Sequence, residues 1–171
     1  MLFRSSLRSI LKKKPFQPQH TDLNQVTRET VQFPSALSIA REVVLASLIT
    51  ETPLPIKGDP VQLQQVILNL IVNAMDAMSG IPRARRRVTV STARDGYSAD
   101  VSVSDVGPGI SPEKLKEIFE PFFTTKPQGM GMGLAIARSI VEAHGGQLIA
   151  GNNARGGATF QIRLPLASAS E

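Results

Sequence analysis

The strongest periodic hydrophobicity lies between Pro60 and Met78, where Leu63, Val66, Ile67, Leu70, Ile71, Ala74 and Ala77 recur at helical spacing. That pattern predicts an amphipathic helix with Asp59 as N-cap and Pro60 at the first helical position. Asn69, Asn73 and Asp76 fall on a second stripe, within about 60° of one another and about 120° from the centre of the apolar face. Polar side chains placed there edge the buried face and can border a cavity.

Shorter patterns surround this helix. Phe3, Leu7, Ile10 and Leu11 form an amphipathic stripe that Pro15 and Pro18 stop, either to pack on another helix or to dock as an ordinary N-terminal one. A linker, Pro15 to Thr21, then leads to a helix from Asp22 carrying Leu23, Val26, Thr30 and Val31, interrupted at Pro34 and able to resume over Ala36 to Glu42. Val43 to Ile49 and Leu54 to Ile56 read as short strands. Val88 and Val90, then Val101 and Val103, alternate on either side of a turn at Asp95-Gly96. Asp105 shares the parity of Val101 and Val103, so a carboxylate points at the core, where it meets a polar partner or caps the turn into Gly107. Ser111 and Pro112 begin a short helix with Leu115 and Ile118 inward, and Glu120 to Met130 reads as irregular. Gly133 to His144 forms another helix, closed by Gly145-Gly146. Gln147 to Ala150 and Ala158 to Leu164 read as the last two strands.

Composition narrows the function classes. At 171 residues and 42% hydrophobic the chain can bury the core of one domain, and it has no cysteine for disulfides, thiolate metal sites or thiol nucleophiles. Its longest apolar runs fall short of a membrane span. The formal charge of +5 arises entirely in Arg4, Arg8, Lys12, Lys13 and Lys14, so the rest is balanced and offers nucleic acid no general field. Arg83, Arg85, Arg86 and Arg87 read as a solvated loop edge, with anion or partner binding as the alternative. The two histidines are His20, in the linker, and His144, in the last helical turn, where the helix dipole is reason enough for it.

No Gly-Lys pair exists for a Walker A loop, and no G-x-G-x-x-G register is present. Gly129, Gly131 and Gly133 run directly into a helix, where backbone N–H groups can approach phosphate, although a flexible hinge reads as well from these residues alone.

Five groups then occur in order: Asn69 with Asn73; Asp105-Val106-Gly107-Pro108-Gly109-Ile110; Phe119-Glu120-Pro121-Phe122-Phe123; Gly129-Met130-Gly131-Met132-Gly133-Leu134; and Gly156-Gly157-Ala158-Thr159-Phe160. Together they resemble the N, G1, F, G2 and G3 boxes of the ATP-binding domain of two-component sensor histidine kinases, with wording nearest the oxygen- and nitrogen-sensing type. The resemblance implies a Bergerat fold, a two-layer α/β sandwich with a mixed sheet and helices on one face. It implies a tail of a dimerisation-hairpin helix and linker at 1–19, the ATP-binding catalytic domain at 20–166, and a short tail at 167–171.

By the same resemblance, Asp105 accepts the adenine amino group, Gly107, Gly109 and Ile110 lie along the base, and Thr159 lies near it. Asn69 and Asn73 belong to the catalytic and nucleotide-binding set, Asn73 gives an amide oxygen to Mg²⁺, and Thr125 and Lys126 stand by the phosphates. Lys126 is counted with the catalytic residues. Gly129, Met130, Gly131, Met132, Gly133 and Leu134 form the phosphate-binding turn, in a short lid ordered by nucleotide. Hydrolases of this superfamily typically carry Glu where this chain has Asn69, and an amide cannot take a proton from water near neutral pH, which favours phosphoryl transfer. His20 lacks the acceptor motif of the family, so the expected partners are a histidine-bearing dimerisation hairpin outside this chain and a response regulator receiver domain. Neither nucleic acid nor membrane contact is expected. A cytoplasmic location, with a parent that can be anchored in a membrane and can form a homodimer, completes the expectation. A serine protein kinase of the anti-sigma type, or a nucleotide-binding interaction module without catalysis, are the alternatives.

Overall fold

A computed structural model describes residues 15–121 and 133–168. In chain order these form β1 (Gln19–Asp22), α1 (Leu23–Thr30), α2 (Ser35–Ala40), β2 (Val44–Leu48), β3 (Pro55–Gly58) and α3 (Pro60–Ala77). A single 3₁₀ turn, Arg83–Arg85, leads to β4 (Arg87–Asp95) and β5 (Ser98–Asp105); α4 (Pro112–Glu117), α5 (Gly133–Ala143), β6 (Gln147–Asn152) and β7 (Ala158–Pro165) follow.

The main sheet has the order β2-β4-β5-β7-β6, with β2 parallel to β4 and the other pairs antiparallel. Val88, Val90, Val101, Val103, Phe160, Ile162 and Leu164 alternate onto its buried face and meet α3 and α5. The mixed sheet and the helices on one face follow the expected sandwich. Gly96 and Tyr97 form the two-residue loop between Asp95 and Ser98, with Gly96 at φ 60°.

The ends of α3 are built as the sequence indicates. Asp59 Oδ1 accepts from the N–H groups of Val61 (3.0 Å) and Gln62 (3.2 Å), and Pro60 needs no partner for a missing donor. Leu63, Val66, Ile67, Leu70, Ile71 and Ala74 are buried. At the C-terminal end the buried positions are Met75 and Met78, and Ala77 is exposed, a shift of the apolar stripe by one position.

Three local expectations change. The supposed linker contains β1, paired antiparallel to β3 from Gln19 opposite Gly58 to Asp22 opposite Pro55. Asp22 caps α1, accepting from Asn24 N–H at 2.9 Å and from Leu54 N–H at 3.2 Å. Beyond Gly109, α4 buries none of its residues; Ile118, just past its end, packs partly on the core while Leu115 is only half covered.

Candidate nucleotide-binding site

β5 delivers Asp105 to the end of the buried face, where it is 4% exposed. Its Oδ1 accepts from Gly107 N–H at 2.8 Å and Ala158 N–H at 3.1 Å. Among the described residues no group donates to Oδ2. Burial pushes this carboxyl above the ordinary aspartate value, and the two backbone donors pull it partly back. The result is a fixed carboxylate with one oxygen committed to the protein and one available to a ligand donor.

The surrounding glycines answer first to the protein. A Cβ on Gly157 would lie 2.1 Å from the Asp105 carbonyl oxygen, so only glycine lets β7 begin so close to the end of β5. Gly109 has φ +76°, and a Cβ there would meet Gly156 O at 2.8 Å.

Two residues absent from the sequence reading hold this corner. Asn152 grips the backbone of Ile110 twice, accepting from its N–H at 2.7 Å and donating to its carbonyl at 2.8 Å. Asn153 Nδ2 reaches the carbonyls of Asp105 (3.0 Å) and Ala158 (3.2 Å) and the Thr159 hydroxyl (3.3 Å). Their available signal is an Asn-Asn pair in the turn before Gly156-Gly157, which indicates turn chemistry without naming the distant backbone it serves.

Asn69 and Asn73 lie half-buried on α3 as expected, and Asn69 Nδ2 donates to Gly133 O at 2.8 Å. This bond ties the start of α5, with Gly133 and Leu134, to the middle of α3. Thr159 alternates away from the buried face, and its hydroxyl lies 2.8 Å from Ser104 Oγ. The residue of that strand that touches Asp105 is Ala158, through its N–H. Phe119 packs edge-on against Phe160, centroids 6.4 Å apart, under the Arg138 guanidinium, in keeping with core packing. Thr125, Lys126, Gly129, Met130, Gly131 and Met132, with Phe122 and Phe123, lie outside the described residues.

The family described as histidine kinase-, DNA gyrase B-, and HSP90-like ATPase matches residues 58–168, the span from the turn before α3 to the end of β7. The chain belongs to this family. Among its relatives, the C4-dicarboxylate transport sensor protein DctS of Rhodobacter capsulatus is 39% identical over 160 residues, 94% of this chain and 24% of that protein. Sensor protein FixL of Bradyrhizobium diazoefficiens is 49% identical over 110 residues, 64% of this chain and 22% of that protein. The chain thus spans about a quarter of the length of these relatives. The catalytic domain of histidine kinase ThkA superposes with a TM-score of 0.76 at 28% identity, covering 88% of this chain and 96% of that one. A structure of ThkA in complex with the response regulator protein TrrA gives 0.77 at 25% identity, covering 97% and 48%.

Two further groups of polar residues in this ATPase domain tie distant parts of the fold together. His144, assigned to the helix dipole from sequence, is buried: Nε2 accepts from Asp59 N–H at 2.9 Å, Nδ1 faces Ile140 O at 2.7 Å, and its ring packs nearly perpendicular to that of Phe16 with centroids 4.7 Å apart. It staples α5 to the turn before α3. Arg83, Arg85 and Arg87 are exposed, in keeping with a solvated edge where Arg83 pairs with Glu42 at 2.7 Å, whereas Arg86 is partly buried and binds three carbonyls. Among the described residues no helix is long and apolar enough to cross a membrane.

Proposed function

We propose that this chain binds Mg-ATP and presents the γ-phosphoryl group to a histidine on a dimerisation hairpin outside the chain, from which a response regulator is served. The observation that carries this reading is the divided Asp105 carboxylate. With Oδ1 occupied by two backbone donors, Oδ2 is left to accept from a ligand, and the exocyclic amine of adenine is such a donor where guanine presents a carbonyl. The sensor kinases among its relatives favour histidine over serine as the acceptor.

The donors suit magnesium. Among the described residues no group of three His, Cys, Asp or Glu could form a protein cage, so an ion here takes most of its ligands from phosphate and water, with Asn73 giving one neutral oxygen. When bound, magnesium would supply charge neutralisation at the phosphates. The chain's own contribution would be orientation: Asp105 would hold the base, and the N-terminus of α5, an 11-residue helix, would favour phosphate charge. In the transfer, the bond from the γ-phosphorus to the β,γ-bridging oxygen breaks, a bond to imidazole nitrogen forms, and ADP leaves with the electron pair. Positioning is the main source of rate in such a reaction. Asn69, an amide tied to Gly133, is no base for water.

Calorimetric titration with ATP tests the reading. Wild-type chain binds ATP in a magnesium-dependent manner, and Asp105→Asn, which sets a side-chain donor against the adenine amine, weakens it by about a hundredfold or more. Equal affinity for GTP and ATP, or an unaffected variant, would refute it.

A further inference from the structure

Loop 106–109 is held at its two ends by adjacent residues of a single turn. Asn152, the last residue of β6, binds the N–H and the carbonyl of Ile110 at 2.7 and 2.8 Å, and Asn153 donates to the carbonyl of Asp105 at 3.0 Å. The turn that carries them is itself closed: Asn153 N–H donates to Gly157 O at 2.8 Å, and Asn153 Oδ1 accepts from Arg155 N–H at 3.0 Å. The fit is close at Gly109 as well, where a Cβ would lie 2.9 Å from Asn152 Oδ1.

The two asparagines act on Asp105 differently. The register of β5 on β7 stops at Ser104 opposite Thr159, one residue short of Asp105. Beyond that point side chains stand in for the ladder: Ala158 N–H goes to the Asp105 carboxylate at 3.1 Å, and Asn153 Nδ2 donates to the Asp105 carbonyl and, at 3.2 Å, to the Ala158 carbonyl. Asn153 thus ties together the backbones of the two residues whose own bond turns the carboxylate. Loss of that donor lets the two strand ends part, and Oδ1 then keeps only Gly107 N–H, a partner two residues along its own chain, to set its angle. Asn152 has no bond to either residue and holds the far end of the loop. We propose that Asn153 is a positioning residue for base recognition: by fixing Ala158 against the end of β5 it holds the Asp105 carboxylate at the angle that leaves Oδ2 for the adenine amine. This rests on the reading of Asp105 as the adenine acceptor.

The test compares ATP with purine riboside triphosphate, which lacks only the exocyclic amine, by displacement of a fluorescent ATP analogue from the full chain with magnesium present. In the wild type the amine adds about tenfold or more in affinity, the usual worth of a hydrogen bond to a charged acceptor. In Asn153→Ala, ATP falls to within about threefold of the amine-free nucleotide, whose own affinity moves by less than about threefold. Asn153→Asp keeps the acceptor for Arg155 N–H and removes the donor, so it shows the same loss and supplies the comparison where the alanine variant does not fold. Asn152→Ala, which frees the loop whatever base is bound, weakens both nucleotides equally and leaves the gap between them. A gap that survives in the Asn153 variants, or one that Asn152→Ala closes as fully, overturns this inference alone. A wild-type chain that binds ATP no better than the amine-free nucleotide removes the proposed role of Asp105 and this inference with it.

Discussion

Asp105 carries opposing demands. Its burial raises the carboxyl, so the folded chain holds that proton more tightly than the unfolded chain. The stability that follows is complete below the ordinary aspartate value and is lost as pH rises through the raised folded value. Asp105→Asn keeps an oxygen for Gly107 and Ala158 and removes this cost. The variant should therefore melt at or above the wild type at pH 7, with the gap closing toward pH 4. Paired thermal scans across that range check it, and a lower melting temperature at pH 7 would contradict it. The inward carboxylate was legible because strand parity is a local rule, and the cap at Asp59 was legible for the same reason. Asn152, Asn153 and His144 were not, because their partners lie 42 to 85 residues away and no spacing rule reaches that far.

At the scale of elements, the loop from Val106 to Ile110 has no ladder of its own and borrows order from β6 through Asn152. Asn152→Ala removes both bonds to Ile110 and should cost about 1–2 kcal/mol locally. Amide exchange at Ile110 is the direct readout: it should quicken by about tenfold while the amides of α3 remain as protected as before. Uniform acceleration throughout the chain would instead mean a global loss. Long elements were visible in the sequence, since α3 offers five turns of periodicity. β1 was hidden, because four residues after two prolines carry no pattern and become a strand only by pairing with β3.

Over the whole molecule, the segment before β1 contributes to the body it leads into. Phe16 covers the His144 ring, and Gln17 N–H donates to Asp59 Oδ2 at 3.1 Å, on the same residue that caps α3. A chain begun at Gln19 should accordingly be less stable than one begun at Pro15 by about 1–3 kcal/mol, measured by urea unfolding. Indistinguishable midpoints would place those residues outside the cooperative unit. The sandwich was expected from the ordered motifs, whereas the strand order could not be read from them, since β2 joins β4 across a chain separation that no local pattern encodes.

The bond from Asn69 to Gly133 bears on how readily this site could change trade. A carboxylate at that place would install the proton acceptor a hydrolase needs, but it would also set two acceptors against each other where an amide now donates. The exchange would loosen the join between α3 and the helix that follows the glycine-rich turn. Conversion from holding ATP to consuming it thus demands a compensating change at the start of α5, and a single substitution is penalised before any new chemistry begins.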